Sequence, residues 1–382
     1  MSRDQLSEGL PCLDFGPNHS CPQQALRLVE NISEGFKRKR ETVAVFFDVA
    51  KAFDKVWHAG QTLSNVCSKL QLHQLKIPDH LVFIIQHYLT GRQFSFRHEK
   101  SVSAKRPIRA GVPQGSTLSP LLYSAYTNDI PRPQTGVQLA LFVDDTALYL
   151  SGSNFRIIIP RLQKAIDELT RWFQTWKIEV HPEKSAAIFF NYSSIKRKEV
   201  VPYKSRTFRV NNSPIPWNHK YKYLGITLDK HLHFKDHIKR VRQNVQLYLS
   251  RLNGMIVKKS KMSLRNKCTL YKVCIWPVMT YAVPVFAHAD PKALHQLQIL
   301  QNNFCRRVSG APWYVRNDTL HRDLELPTIS KYMKDMSKKF FDTAANHPNP
   351  LLQSAGSYEP PSTSFHPKAK ECSFRRTRRA HR

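Results

Sequence analysis

Strand-length apolar runs punctuate the first half of the chain, and helical spacing dominates the second half. The runs are rich in β-branched and aromatic residues and nearly free of polar atoms, which is typical of strands covered on at least one face. They lie at Thr42–Phe47, Leu139–Val143, Thr146–Leu150 and Ser185–Phe190. Only Asp144 and Asp145 separate the second run from the third, so the pattern predicts a buried hairpin with two carboxylates at its tip.

Apolar residues that recur at steps of three and four predict amphipathic helices between and beyond these strands. The predicted helices start at Gln23, lie on either side of Pro78 within residues 61–90, start at Ser119, extend from Pro160 to Lys177, and cover residues 238–252, 263–275, 291–309 and 329–345. A short hairpin turning at Gly225 is predicted over Tyr221–Leu228. The order of elements over residues 42–190 predicts an α+β or α/β sheet backed by helices.

The paired carboxylates of Asp144 and Asp145 allow two interpretations. Aspartate tolerates the left-handed backbone of a tight turn, so the pair can be a simple hairpin tip. Two adjacent anions on an apolar support also repel each other unless a cation neutralises them, and a divalent metal does this. A third carboxylate, Asp48, ends the first apolar strand, where open sheets place functional groups. If the three carboxylates converge, they suit two Mg²⁺ ions and in-line phosphoryl transfer, as in a nuclease or a polymerase.

Charge indicates the class of partner. The 382-residue chain has 59 Lys and Arg against 28 Asp and Glu, which gives a formal net charge of +31. A polyanion is the natural partner, either nucleic acid or an anionic membrane surface. No apolar run approaches the roughly 20 residues needed to span a bilayer, and the cysteines show no zinc or disulfide framework. We therefore expect an intracellular protein of the nucleus, the cytoplasm or both that binds nucleic acid rather than membrane.

Five ordered segments resemble the palm motifs of a reverse transcriptase. They are FFDVAKAFDKVWH, AGVPQGSTLSPLLY, LALFVDDTALY, WKIEVHPEKS and YKYLGITLD. With the downstream LYKVCIWPVMTYAVPVFAHA, they are similar to the enzymes of jockey-like non-LTR (LINE-type) retrotransposons. The resemblance implies an RNA-directed DNA polymerase with a right-hand palm (an antiparallel sheet backed by helices), a helical thumb and incomplete fingers. It also implies an RNA template, a DNA primer and dNTPs as partners, and two Mg²⁺ ions as cofactor, with Mn²⁺ as a substitute.

The resemblance further implies roles for individual residues. Asp48, Asp144 and Asp145 would be the metal ligands, and the Val49 carbonyl would complete one coordination shell. Phe53 would exclude a ribose 2′-OH, although a phenylalanine here also suits the core of a helix.

Other positions match the nucleotide and primer contacts of the family. Gln114 and Gly115 would line the nucleotide and template groove, although the pair also suits an ordinary turn. Lys184 would protonate or steady the leaving pyrophosphate, and its alternative is a solvated turn lysine. The predicted primer grip consists of Tyr223, Leu224 and Gly225.

The resemblance predicts a domain order and also shows departures from the family. The predicted domains are a residual fingers segment (1–40), the palm (41–195), a linker with the primer-grip hairpin (196–230), a basic helical thumb (231–346) and a disordered basic tail (347–382). The segment DFGPNHS lacks the arginine expected to hold the triphosphate. The N-terminal fingers and the upstream endonuclease domain are also missing, so an N-terminally truncated chain is expected. The alternative function is therefore a catalytically inactive remnant that only binds nucleic acid.

Overall fold

The computed structural model describes residues 20–56, 78–108, 110–113, 115–134, 136–191 and 207–345. These residues belong to two compact units that divide between Leu232 and His233. The predictions for the DFGPNH segment, for the helix before Pro78, for Gln114 and for the tail lie outside the described residues.

The first unit is built on an antiparallel sheet. Its elements are α1 (Cys21–Lys37), β1 (Glu41–Asp48), α2 (Asp79–Leu89), β2 (Gln93–Phe94), β3 (Arg97–His98), β4 (Ser101–Val102), β5 (Arg106–Pro107), α3 (Ser119–Tyr126), β6 (Gln138–Phe142), β7 (Asp145–Gly152), α4 (Phe155–Thr175), β8 (Ala186–Phe190), β9 (Arg209–Val210), β10 (Ser213–Pro214), β11 (Lys220–Tyr223) and β12 (Ile226–Asp229). Four strands pair antiparallel in the order β6-β7-β1-β8, while β11 and β12 form a separate hairpin. The predicted α+β sheet backed by helices and the hairpin at Gly225 are confirmed.

The central strand β1 is covered on both faces. Successive side chains of a strand point to opposite faces, so alternate residues share an environment. Val43, Val45 and Phe47 join the apolar cluster that α4 covers. On the other face, the Phe46 ring stacks on Tyr221 of the β11–β12 hairpin with 4.7 Å between ring centroids. This double burial explains why the sequence of β1 is apolar without alternation.

Helix α4 begins earlier than the sequence pattern predicted. The prediction began the helix at Pro160, but the first helical residue is Phe155. The Asn154 side chain caps the helix by accepting a hydrogen bond from the backbone N–H of Arg156, and Pro160 lies inside the helix. The capping asparagine is the signal that the periodicity argument overlooked.

The second unit is helical. Its elements are α5 (Lys235–Arg251), α6 (Asn253–Ile256), α7 (Leu264–Leu270), a π-helical turn (Tyr271–Ile275), α8 (Trp276–Thr280), α9 (Val283–Phe286), α10 (Pro291–Ser309), α11 (Asn317–Asp323) and α12 (Ile329–Ala345). The helices predicted in the last third of the chain are confirmed. Residues 233–345 carry twenty Lys and Arg against seven Asp and Glu, so this unit is basic in its own right. Within the described part of the chain, no helix is both long and apolar enough to cross a membrane.

Candidate active site

Strand register brings the predicted carboxylates to one end of the sheet. Asp48 is the last residue of β1, and its Cα pairs with that of Asp145, the first residue of β7. Directly opposed residues of an antiparallel pair point to the same face, with Cβ atoms about 4.5–5.5 Å apart. Asp48 lies two residues after Phe46, so both carboxylates are on the face that carries the β11–β12 hairpin. Asp144 precedes Asp145 in the connecting turn, and the charges of Asp144 and Asp48 both act on the Asp145 carboxylate.

The hairpin tip is one residue away from its predicted position. Phe142 pairs with Asp145, so the two turn residues are Val143 and Asp144, and Asp145 is part of the strand. Val143 has a φ of 55°, a left-handed backbone that is a genuine outlier for a β-branched residue. Its side chain is buried in an apolar cluster that also contains Tyr123. This burial holds the strained turn in place and thereby aims the following aspartates.

Repulsion and burial act together on Asp145. Burial is the largest cause that raises its pKa from 3.8 to about 6, and the neighbouring carboxylates of Asp144 and Asp48 raise it further. A hydrogen bond from the backbone N–H of Leu224 and the charge of Lys222 act in the opposite direction without cancelling the increase. The site therefore concentrates negative charge that its own cations do not neutralise.

The β11–β12 turn supplies the hydrogen bond to Asp145. Leu224 and Gly225 both have left-handed backbones, with φ values of 45° and 77°, which is the geometry of a tight two-residue hairpin turn. Leu224 is buried, and its N–H faces the Asp145 carboxylate. The Tyr223 ring is fully buried and lies 5.2 Å from the Phe46 ring. Of the predicted primer grip, Tyr223 thus packs in the core, while the turn itself lies against the carboxylates.

Asp48 is held by the segment that precedes β8. Its backbone N–H donates to Ser185 Oγ at 3.2 Å, and its carbonyl accepts from the His181 N–H at 3.0 Å. Ser185 Oγ in turn donates to the His181 carbonyl at 2.8 Å. Lys184 Nζ lies 3.9 Å from Asp48 Oδ2, so this predicted residue is beside the carboxylates. The adjacent residue, Val49, is buried. Sequence reasoning missed Ser185, whose only signal was its place between Lys184 and an apolar strand.

Phe53 lies in a turn after β1 and is partly buried. Its ring packs against Tyr123 at 5.2 Å, and its carbonyl accepts a 2.8 Å hydrogen bond from the Val112 N–H. Gly111 has a φ of 93°, and a Cβ there would lie 2.7 Å from the backbone oxygen of Asp54. Glycine is therefore required at this close approach, which joins the loop over residues 110–113 to the Phe53 turn. Phe53 has the packing of a core residue on one side and remains partly accessible.

The remaining predicted loop residues are only partly placed. Gln114 lies outside the described residues. Gly115 has a φ of 89° and nothing within 4 Å of a Cβ position, so it is required for its backbone conformation and not for space. No contact in the structure joins Gly115 to the carboxylates among the residues described.

Two further residues near the carboxylates were not singled out as site residues. The pKa of Tyr221 is raised above its ordinary value of 10.0 by burial and by the charges of all three aspartates, so its hydroxyl faces them. Lys222 is close enough to lower the pKa of Asp145. Trp217 packs against Phe208 at the edge of the apolar cluster.

The carboxylate cluster is not a preformed coordination sphere. In the portion of the chain that the structure describes, no group of three or more His, Cys, Asp or Glu side chains is already arranged to hold a metal ion. The donor set itself suits a hard divalent cation, because it consists of carboxylate oxygens. Burial, and after it the charges of Asp144 and Asp48, raise the pKa of Asp145, so a bound cation would relieve the cost of ionising it.

Comparison with protein families decides between the kinds of protein that such a site allows. Residues 10–228, more than half of the chain, match the family described as reverse transcriptase (RNA-dependent DNA polymerase). The chain belongs to the reverse transcriptase family. Polymerases of this family generally depend on a divalent metal.

The relatives of this chain confirm the resemblance to jockey-like elements. The chain is 32% identical over 360 residues to the RNA-directed DNA polymerase from mobile element jockey of Drosophila melanogaster, covering 92% of this chain and 38% of that protein. It is 33% identical over 347 residues to the probable RNA-directed DNA polymerase from transposon BS of the same species, covering 88% of this chain and 37% of that protein. The chain thus spans less than two fifths of the length of these relatives.

Solved structures of telomerase are more distant neighbours. Telomerase from Candida tropicalis in complex with a TWJ fragment of telomeric RNA matches with 12% identity and a TM-score of 0.41, covering 86% of this chain and 56% of that chain. A score of this size adds no argument to the family assignment.

Proposed function

We propose that this chain is an RNA-directed DNA polymerase that extends a primer 3′-OH with dNTPs on an RNA template. The observation that carries the proposal is the pairing of Asp48 with Asp145 at the ends of β1 and β7, with Asp144 in the adjoining turn, in a chain of the reverse transcriptase family. Attack of the 3′-oxygen on the α-phosphate would release pyrophosphate, and the anionic reactants need positive charge at this end of the sheet. The carboxylates would supply this positive charge by binding cations.

Mg²⁺ is the cofactor that best fits the donor set. Asp48, Asp144 and Asp145 would hold two ions, with the Val49 carbonyl as a further oxygen ligand and Mn²⁺ as a substitute. When bound, the ions would stabilise charge on the attacking and leaving oxygens. Because the side chains are not already arranged around an ion, the carboxylates would have to turn toward it during binding. The high pKa of Asp145 means that its proton must leave as well, which makes binding weaker below about pH 6.

Other residues would position the nucleotide and the product. Phe53 would contact the incoming sugar and exclude a 2′-OH from its partly accessible side. Gln114 and Gly115 would line the template groove. Lys184 is 3.9 Å from Asp48 and 68% exposed, so its ammonium is free to reach toward a leaving pyrophosphate. The Leu224 turn would contact the primer end, since it lies against Asp145.

A primer-extension assay tests the proposal. The purified chain should elongate a DNA primer on an RNA template with Mg²⁺ and dNTPs, and Asp144→Asn should abolish elongation. Asp167→Asn is the matched control, because Asp167 is an exposed carboxylate of the same unit whose partner is Gln163 on the same helix. Elongation by the Asp144→Asn variant at the wild-type rate would exclude the assignment.

The same assay tests the sugar gate and the alternative function. Phe53→Ala should raise incorporation of ribonucleotides relative to deoxynucleotides, and an unchanged ratio would remove Phe53 from this role. Salt-sensitive RNA binding without elongation at any Mg²⁺ or Mn²⁺ concentration would instead identify an inactive remnant that only binds nucleic acid.

A further inference from the structure

An exposed aromatic pair stands out on the helical unit. Trp313 and Tyr314 are 88% and 69% exposed, and their rings contact each other edge to face with centroids 6.0 Å apart. They occupy the two central positions of a turn closed by a 3.2 Å hydrogen bond from the Val315 N–H to the Pro312 carbonyl. Single exposed apolar residues are common, but two large rings at one turn tip bury almost nothing and do not help the fold.

The partly buried side chain of Arg306 supports the turn through several hydrogen bonds. The Arg306 guanidinium donates to the carbonyls of Pro312 at 2.9 Å and Val315 at 2.7 Å and to Asn317 Oδ1 at 2.9 Å. Gly310 ends α10 with a left-handed backbone, and Ser309 Oγ accepts a hydrogen bond from the Ala311 N–H. The aromatic pair is therefore presented on a fixed support, so a ligand would not have to order the loop.

Three cationic side chains lie near this turn in sequence or in space. Arg316 directly follows the turn and is exposed, and the exposed Arg307 lies in the last turn of α10. The Lys258 side chain lies over Gly310, where a Cβ would collide with it. Arg307 Nη1 donates to Asn253 Oδ1 at 3.0 Å, which orients it on the same surface. A supported pair of rings with positive charge nearby combines the two features that single-stranded nucleic acid requires, a face for its bases and charge for its phosphates.

We propose that Trp313 and Tyr314 form a stacking platform for unpaired bases of single-stranded RNA, with Lys258, Arg307 and Arg316 contacting the phosphates. The choice of RNA rests on the proposed function, whereas the stacking chemistry does not. The platform belongs to the helical unit, and base stacking on it needs neither metal nor dNTP. It would hold a stretch of template or transcript that is not paired with the primer.

Fluorescence anisotropy with a labelled, unstructured RNA oligonucleotide tests the platform. The full chain is used without metal or dNTPs, so the result does not depend on polymerase activity. Trp313→Ala/Tyr314→Ala should weaken binding by about 5- to 150-fold, the range for loss of one stacked base, while leaving the salt dependence unchanged. Arg316→Gln should instead lower the slope of log K against log salt by about 0.7. Binding of duplex RNA should be unaffected by the aromatic changes.

Two controls separate stacking from other causes. Trp313→Phe/Tyr314→Phe should retain most of the affinity, because phenylalanine keeps a stacking face. Val273→Ala removes another side chain of this unit that is 67% exposed and should change nothing. Wild-type RNA affinity in the double alanine variant would overturn the proposal. A double alanine variant that binds RNA normally but no longer binds anionic lipid vesicles would overturn it as well. If the chain does not extend a primer but the double alanine variant still binds RNA more weakly than wild type, only the polymerase assignment is refuted.

Discussion

Asp145→Asn should stabilise the metal-free protein at neutral pH and abolish polymerisation. The pKa of Asp145 rises from 3.8 to about 6 in the folded state, so the folded protein holds a proton that the unfolded chain has released. The unfolded state is therefore favoured increasingly as pH rises from about 4 to about 6, and the full loss applies above about pH 7. At about 1.4 kcal/mol per pKa unit the ceiling is about 3 kcal/mol. Partial exposure of the carboxylate reduces this to about 1–2 kcal/mol.

Urea unfolding in the presence of a chelator measures this effect. The difference in unfolding free energy between Asp145→Asn and wild type should be small at pH 4 and reach about 1–2 kcal/mol at pH 7.5, with the variant more stable. Asparagine keeps the oxygen that accepts the Leu224 N–H, so the comparison isolates the charge. The control Asp167→Asn removes an exposed carboxylate and should show no such pH dependence. Equal stabilities of Asp145→Asn and wild type at both pH values would refute the inference that burial and the neighbouring carboxylates raise the pKa of Asp145.

Other changes probe the parts that surround the carboxylates. Lys184→Ala should change the unfolding free energy by less than about 0.5 kcal/mol, because its ion pair is exposed, yet slow single-turnover extension; normal extension would leave it a solvated lysine. Ser185→Ala should cost about 1–2 kcal/mol in urea unfolding and reduce extension, because it removes the hydroxyl that accepts the Asp48 N–H; an unchanged stability would contradict this. Gly111→Ala should destabilise the fold by more than Gly115→Ala, since both carry positive φ but only Gly111 also meets neighbouring backbone; equal losses would show that the close approach is unimportant.

Apolar patterning was sufficient to predict the sheet because β1 and its neighbours are buried. A run such as that of β1 has no other stable place than the centre of a sheet, and each predicted strand is observed. The nearness of Asp48 and Asp145 also followed from the strand ends. What periodicity could not supply was the register, and a single position decides that Asp145 is a strand residue while Val143 turns the chain. A β-branched residue such as valine disfavours a left-handed backbone, so only the surrounding packing explains the conformation of Val143.

The parts that Ser185 and Tyr221 play at the site depend on tertiary contacts. Ser185 matters because its hydroxyl joins two strand ends, and Tyr221 matters because stacking on Phe46 aims its hydroxyl at the aspartates. Neither relation has a spacing that could be recognised along the chain. Trp313 and Tyr314 fit no helical or strand pattern, and only their exposure in the folded unit distinguishes them from core residues.

The double coverage of β1 has a consequence for how genes of this kind decay. A shift of one residue in a strand moves every side chain to the opposite face. One codon gained or lost inside β1 would turn Asp48 away from Asp145 and exchange the environments of Phe46 and Phe47 in the same event. We therefore expect indels to be tolerated far less in this strand than in exposed loops. Among related sequences, a single in-frame indel in this strand is therefore a physical criterion for separating copies that cannot form the carboxylate site from those that can.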